Sequence, residues 1–405
     1  MNTKLPLFSL AVNQQLNVLM TICIISYALI ILAPYFAWNM PVTLTRAVAL
    51  LAILSSIIYL AKSNIVKKNG YLFLTLYFIF LTLEFFEGYA VNFSIILFLI
   101  FVLLRNDDKI KIFEAFGKIY ALLLIPSIFL AVEFYLFGFR QGQIIEPPDS
   151  KGEYGLYYYA YSGAVILSNQ IADFGGSAFF RLSGVFNEPG VIGTISALYM
   201  WVYRRKLNWW TLISILGGVL SFSAFFYLVL VLYVITLACT KLIYFLIFML
   251  LTIFIPALYG SLSGEFFEQF INYRINRLLS GDLSGFDNRT RSCFWVYWDS
   301  FIKSQSVYFG MGHEPAGGCS SITPLRHIYS IGIIGFSLLV TIYIAVTLFL
   351  LRKKVLFSQV LFIIVSSLAL YQRPYFDAIW MLIIFTGGLL VIAKTRSFSK
   401  TNPSS

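Results

Sequence analysis

The segment that decides the fold runs from Phe179 to Tyr203 and reads FFRLSGVFNEPGVIGTISALYMWVY. Its helical part, residues 189–203, would reach about 22 Å, whereas the hydrocarbon core of a membrane is about 30 Å thick. Residues 181–188 must supply the missing length, and their Gly, Ser, Asn and adjoining Pro favour irregular backbone. Irregular backbone persists at membrane depth only where protein or a watery cavity satisfies its polar groups. We therefore predict that this segment lines a cavity.

The start of this helix is predicted from Pro189. Proline suits the first helical turn and disfavours helix at the preceding residue, so Asn187 or Glu188 is the expected cap. A helix N-terminus carries partial positive charge and unbonded N–H groups, and Arg181 would add a full charge nearby. The segment therefore predicts a site for an anion.

Composition indicates what surrounds the segment. Of 405 residues, 59% are hydrophobic, 18% are aromatic and only 12% are charged, which is typical of a polytopic helical membrane protein and excludes a soluble core. The net charge of +11 comes from short basic clusters between apolar runs. These clusters indicate membrane topology, and no nucleic-acid partner is expected.

The apolar runs predict an all-α fold of about twelve transmembrane helices in a single integral membrane domain, residues 1–405. Two runs are too long for one span and are interpreted as hairpins. Two large loops, residues 138–180 and 260–324, are expected to carry short amphipathic helices. The predicted spans are 15–38, 43–61, 71–104 as a hairpin, 112–137, 179–203, 208–240 as a hairpin, 242–259, 326–351, 355–371 and 378–393.

The basic clusters predict the orientation. With twelve spans, most of the 29 Lys and Arg residues fall on the side that holds both termini. The positive-inside rule makes that side cytoplasmic and places both large loops outside. Merging either hairpin into one helix would move the later clusters to the other side.

Both outer loops are rich in aromatic residues, whose rings suit the apolar faces of sugars but are equally typical of interfacial belts. Four aromatic residues of the second loop recur at helical spacing and predict an amphipathic helix on the membrane surface. Cys293 and Cys319 fall in the same loop and could form a disulfide in an oxidising compartment. The aromatic residues concerned are Tyr154, Tyr157, Tyr158, Tyr159 and Tyr161, then Phe286, Phe294, Trp295, Tyr297, Trp298 and Phe301.

Residues 181–189, RLSGVFNEP, resemble the R-x-x-G-x-F-x-(E/N)-P signature of the O-antigen polymerase and ligase superfamily, which includes the Wzy-type polymerases. Residues 288–291 (NRTR), 309–314 (FGMGHE) and 329–335 (YSIGIIG) agree with the resemblance. Ligases of this superfamily usually show a His-Asn pair at the end of the second loop, whereas Ile328 follows His327 here. This departure favours a polymerase.

The resemblance implies glycosyl transfer at the periplasmic face of a bacterial inner membrane, on a GT-C-like architecture. The donor and the acceptor would be undecaprenyl-diphosphate-linked glycans, polymerised into O-antigen or a related surface polysaccharide. Membrane lipid and a chain-length regulator are further candidate partners. No cofactor and no metal are expected, because arginines would stabilise the departing diphosphate in place of a cation.

The candidate site follows from the same residues. Arg181, Arg289 and Arg291 are the expected diphosphate clamp. Glu188 and His313 are candidate general bases, with His327, Glu314 and Asp287 as further candidates. Substrate contacts are also expected from Asn187, Tyr329, Arg46 and Arg373.

Less specific interpretations stay open for each residue. Arg181 could be an interfacial anchor that snorkels to lipid headgroups, and Glu188 could simply cap a helix. Arg289 and Arg291 could be a solvated pair balanced by nearby acids, and either histidine could be inert.

At the level of the whole protein, the alternatives are an O-antigen ligase that attaches glycan to lipid A-core and a transporter or flippase of lipid-linked sugar. Charged residues inside the predicted spans are few and lie mostly near the ends, which speaks against transport.

Overall fold

The computed structural model describes residues 5–62, 93–146, 156–174, 177–204, 207–238, 290, 292–312, 319, 321, 323–351 and 356–401. The chain divides into two compact units, which we call the terminal unit (residues 1–119 and 291–405) and the central unit (residues 120–290). The described part is mostly helical. Its α-helices, in chain order, are α1 Leu5–Ile31, α2 Val42–Lys62, α3 Phe93–Leu103, α4 Asn106–Phe137, α5 Pro189–Val202, α6 Trp209–Leu220, α7 Ala224–Ala238, α8 Ser292–Ile302, α9 Ser306–Phe309, α10 Leu325–Leu351, α11 Phe357–Gln372 and α12 Ile379–Thr401.

Four of these helices are long and apolar enough to cross a membrane, namely residues Gln14–Ile31 of α1 together with α2, α4 and α10. Shorter apolar helices coincide with other predicted spans, and the predicted division of residues 208–240 into two helices is confirmed as α6 and α7. The apolar helices indicate a membrane protein. The first half of the hairpin over 71–104 and the span over 242–259 lie outside the described residues, so the total of twelve stays a prediction.

The first predicted span ends earlier than expected. Helix α1 stops at Ile31, and a short 3₁₀ turn, Tyr35–Ala37, follows it. Pro34 explains the difference, because proline lacks the N–H that would continue the helix. The apolar residues up to Trp38 therefore belong to the connection and not to the span.

The first large loop contains strands, so the expectation of short amphipathic helices is not met in its described part and the fold is not all-α. Strands β1 Gln143–Ile145, β2 Tyr158–Tyr161 and β3 Ala164–Leu167 form one antiparallel sheet in that order. Strands β4 Ile171–Phe174 and β5 Ser177–Phe180 form a hairpin. Aromatic and branched residues favour strands, and Gly163 supplies the left-handed φ of +84° that the turn between β2 and β3 needs.

Helix α5 is the core of the central unit. All of its residues, Pro189 to Val202, are buried, and it packs against α6 and α7. Small residues permit this close packing, since a Cβ added at Gly193 would overlap Ser223 and one added at Gly218 would overlap Phe226.

In the terminal unit, a buried polar network joins α1, α2 and α4. Asn17 donates to Asp108 Oδ1 at 2.8 Å, and the Tyr59 hydroxyl donates to Asp108 Oδ2 at 2.7 Å. Hydrogen bonds of this kind make the burial of a carboxylate tolerable. The network therefore fixes the first turn of α4 against the two N-terminal helices.

Helix α10 is kinked at Gly332, whose φ of +72° is not helical. The kink releases backbone carbonyls, and the segment after α9 satisfies them: Met311 N donates to Tyr329 O at 2.8 Å, and Gly312 N donates to Ser330 O at 3.0 Å. Gly310, with a φ of +92°, lies so close to Ser330 that a side chain would overlap its carbonyl group. The 309–314 and 329–335 motifs are therefore joined through their backbones in this part of the fold.

The predicted helix of the second loop is confirmed as α8. Its Phe294 and Phe301 side chains pack against Tyr329 of α10, with Trp298 beside them. Cys293 and Cys319 form a disulfide with a Cα–Cα distance of 5.5 Å, which ties the start of α8 to residues further along the loop.

Candidate functional site

The Arg181 side chain is held at the break between α6 and α7. Its Nε donates to Ser221 O at 3.2 Å, and its Nη2 donates to Phe222 O at 3.2 Å. Its Nη1 donates to Gln170 Oε1 at 2.8 Å. The two carbonyls belong to the C-terminal end of α6, where the helix dipole is negative. The guanidinium thus bonds to the chain itself, unlike an anchor that reaches for lipid headgroups.

The break has a specific backbone conformation. Phe222 has a φ of +46°, which is uncommon for a residue other than glycine, and Leu182 N donates to Leu220 O at 2.9 Å. Ser221 Oγ donates to Gly218 O at 2.7 Å, and Ser223 lies against Gly193. The two serines are used in packing and helix termination.

The Gly and Phe of the 181–189 motif have structural roles. Gly184 has a φ of +60°, and its carbonyl accepts a 2.7 Å hydrogen bond from Val165 N of β3. Phe186 is fully buried and stacks on Tyr120 of α4 with a centroid distance of 6.0 Å. These contacts fix the loop between the sheet and α4, which gives Arg181 and Glu188 defined positions.

The helix start agrees with the prediction. Pro189 is the first residue of α5, and Glu188 is its N-cap with extended backbone angles of −146° and 133°. The Glu188 side chain makes no capping hydrogen bond, so its carboxylate is not used as a helix cap. Asn187 is placed next to it, and its carbonyl oxygen accepts a 2.7 Å hydrogen bond from the Tyr158 hydroxyl.

The fixed guanidinium and the start of α5 lie at the same end of the central unit. Gly193 of α5 contacts Ser221 and Ser223 of the break, and Arg181 bonds to that same break. Gly193 is four residues beyond Pro189, which is about 6 Å along a helix axis. The break that holds the Arg181 guanidinium therefore packs about one turn from the start of α5, and an anion site at this place stays a prediction.

The tyrosines of the first loop pack among themselves. The Tyr157 and Tyr159 hydroxyls lie 3.0 Å apart, and the Tyr159 ring contacts Phe139. The Tyr161 hydroxyl donates to Arg140 O at 2.6 Å and accepts from Gly142 N at 3.1 Å. Burial raises the pKa of Tyr161 to about 12, which keeps this phenol neutral. Much of the aromatic surface of β2 is thus used within the loop.

Four other predicted site residues lie in the terminal unit. His327 Nε2 hydrogen-bonds to Pro374 O and lies 3.9 Å from Asp377 Oδ1, between the rings of Phe336 and Phe376. Arg373 ends α11 and reaches Tyr375 Oη at 3.5 Å, so the structure brings His327 close to the 373–377 connection.

The other two are placed differently. The Tyr329 side chain is buried between Phe294 and Phe301, and its main chain receives the Met311 bond described above. Arg46 is exposed in the second turn of α2.

The remaining predicted residues lie outside the part of the chain that the structure describes. They are Arg289, Arg291, His313, Glu314 and Asp287, so the three-arginine clamp and the His313 base stay predictions. Sequence reasoning missed Gln170, the carbonyls of Ser221 and Phe222, and Asp377. Backbone carbonyls carry no residue-type signal, and Gln170 lies in a 3₁₀ turn of the strand-rich loop that was not anticipated.

No family model matches this sequence, and neither a curated protein nor a solved structure matches it. The candidate site itself is a guanidinium held by backbone carbonyls near the start of a short buried helix.

Proposed function

We propose that this protein is a glycosyltransferase that polymerises undecaprenyl-diphosphate-linked oligosaccharide repeat units into O-antigen or a related surface polysaccharide. The observation that carries the proposal is the fixed Arg181 guanidinium beside the N-terminal end of α5. The residues that form this arrangement are those of the 181–189 motif, which resembles the polymerase signature.

Helix lengths support a site below the membrane surface. Helix α5 has 14 residues and α6 has 12 residues, which gives about 21 Å and about 18 Å of a hydrocarbon core about 30 Å thick. With the α5–α6 connection at one membrane boundary, Pro189 and Ser221 would lie about 10 Å short of the other. A charged group at that depth needs a polar cavity, and the diphosphate of a lipid-linked glycan would reach Arg181 through that cavity from the membrane boundary.

The chemistry suits these groups. In the proposed reaction, the acceptor hydroxyl oxygen attacks C1 of the donor sugar, and the bond from C1 to the diphosphate oxygen breaks. The diphosphate leaves with the bonding electron pair, and the hydroxyl proton passes to a base. Arg181 would stabilise the charge that develops on the leaving group, since a guanidinium is charged at every relevant pH.

Glu188 is the described candidate for the base. Glu188 comes two residues after the buried Phe186 in the motif. It stands at the start of α5, and its side-chain carboxylate makes no capping hydrogen bond there. Arg289, Arg291 and His313 would complete the site. The proposed architecture is GT-C-like with twelve helices. Both termini would lie in the cytoplasm, and the active face would lie on the periplasmic side of the inner membrane.

Deleting the encoding gene and displaying the surface glycan on a gel tests the proposal. A ladder that collapses to a single repeat unit, restored by the wild-type gene, is the expected result. Normal polymer that stays on its lipid carrier and never reaches lipid A-core would indicate the ligase. Repeat units confined to the cytoplasmic leaflet would indicate the flippase, and either outcome would overturn the polymerase.

A further inference from the structure

The segment from α8 to Gly312 has an exposed apolar side that the contacts with α10 do not use. Phe294 and Phe301 are buried against Tyr329, but several large apolar side chains of the same segment are not covered by the chain. Between 36% and 56% of each of these residues is exposed. We call this set the apolar ledge: Trp295, Ile302, Tyr308, Phe309 and Met311.

Helical geometry separates the ledge from a polar side of α8. Trp295 and Ile302 are seven residues apart and so lie on one side of the helix, next to Trp298. Ser300 is about 160° away from Ile302 around the helix axis and is exposed. Exposed Asp299 and Val296 lie between these two positions around the helix. Trp295 and Ile302 extend the apolar side beyond the part that packs on Tyr329.

The kink in α10 sets the level of the ledge relative to the membrane. Beyond Gly332, residues 333–351 give about 28 Å of helix, close to the full hydrocarbon thickness of about 30 Å. Gly332 therefore marks one boundary of the span. A side chain at Gly332 would overlap Tyr308 O and Phe309 N, so the end of α9 lies against that boundary.

From these positions we infer that the apolar ledge rests in the headgroup and acyl-chain boundary of the lipid bilayer. Trp and Tyr favour this layer because one part of each side chain is apolar and the other is polar. Exposed Ile333 and Ile334 on α10 continue the apolar surface into the span, which favours lipid as the occupant. Lys303 is exposed directly after α8 and suits anionic headgroups. The inference does not depend on the proposed glycosyl transfer.

Spin labelling tests this contact in the full-length chain. Cys23 and Cys239 are replaced by Ser, while the Cys293–Cys319 disulfide stays oxidised. Single cysteines then carry a nitroxide at position 302, 308 or, as the matched control on the same helix, 300. The protein is reconstituted into vesicles of phosphatidylethanolamine and phosphatidylglycerol. Collisions of each label with oxygen, which partitions into lipid, are compared with collisions with a water-soluble nickel chelate.

We expect the ratio of oxygen to nickel collisions to favour oxygen at 302 and 308 and to favour nickel at 300. Equal access of nickel to all three labels would overturn the inference. Low access of both reagents at 302 and 308, with spin–spin broadening, would show that a second copy of the chain covers the ledge and would also overturn it.

A milder change covers the case in which a labelled variant does not fold. Trp295→Phe keeps an apolar ring at the ledge, and quenching of tryptophan fluorescence by brominated lipid should fall relative to the unsubstituted protein. Unchanged quenching would contradict lipid contact at this position.

Discussion

Arg181 Nε lies 3.2 Å from the carbonyl oxygen of Ser221, so a charged side chain completes the C-terminal end of a helix that begins more than twenty residues later in the chain. A second bond to Phe222 O makes this a two-carbonyl contact. Arginine suits this position better than lysine, because the planar guanidinium group can donate to both carbonyl oxygens at once.

Arg181→Lys and Arg181→Ala are both expected to lower polymer formation on the order of 100-fold, because lysine keeps the charge and loses the fork. The measurement is ladder length in the deletion strain that carries each variant, with protein abundance followed by immunoblot. Arg140→Ala is the matched control, since Arg140 is exposed and only pairs with exposed Glu133 at 3.8 Å. A full ladder with Arg181→Lys would show that charge alone is sufficient.

Glu188→Gln is expected to reduce activity about 100-fold, as loss of a general base does, while leaving thermal stability in detergent unchanged. Stability should hold because glutamine keeps the size of the side chain and its capacity to hydrogen-bond, and the N-cap at 188 does not use a side-chain capping bond. Asn187→Ala is compared for folding only, since the Tyr158 bond uses the main-chain oxygen at 187 and survives the change, whereas the Asn187 side chain is itself an expected substrate contact. Normal polymer from Glu188→Gln would exclude this carboxylate as the base.

Gly193→Ala is expected to lower the free energy of unfolding by about 1–3 kcal/mol, because the added methyl group overlaps Ser223. Adding Ser223→Gly to the same chain removes the overlapping atoms and should recover part of the loss. Chemical denaturation of the four combinations measures the coupling. Gly335→Ala is the control, since its nearest neighbours are side-chain atoms of Ile331. Additive effects at 193 and 223 would contradict the contact.

The free energy of unfolding is expected to fall at high pH because of Tyr161. Its pKa is raised to about 12 by burial, above the usual value of 10.0, so its contribution is complete below pH 10. As the pH rises from 10 to about 12, the unfolded chain gives up the phenol proton first and the free energy of unfolding falls. The slope of stability against pH in this window should be smaller for Tyr161→Phe than for the unsubstituted protein. Identical slopes would show that Tyr161 does not contribute to it.

Local signals explain what could be predicted from the sequence. Pro189 predicted the start of α5, and the length of the apolar run over 208–240 predicted the break between α6 and α7. Helical spacing of aromatic residues predicted α8. In each case the residues that determine the feature are neighbours in the chain, so a pattern within a short window was sufficient.

Long-range and very short elements could not be predicted. Two partners of Arg181 are backbone carbonyls about forty residues later in the sequence, and main-chain atoms carry no sequence signal. Strands β2 to β5 have four residues each, too short for periodicity to distinguish them from loop. The sheet around Gln170 was therefore taken for loop and amphipathic helix.

The complete burial of α5 has a consequence for biogenesis. A segment about 21 Å long that packs mainly against α6 and α7, with Tyr120 of α4 as a further partner, gains little from contact with lipid alone as it leaves the translocon. Stable integration of α5 must then wait until the ribosome has synthesised the following hairpin, so truncated nascent chains that end before Ala224 should leave this helix only loosely inserted.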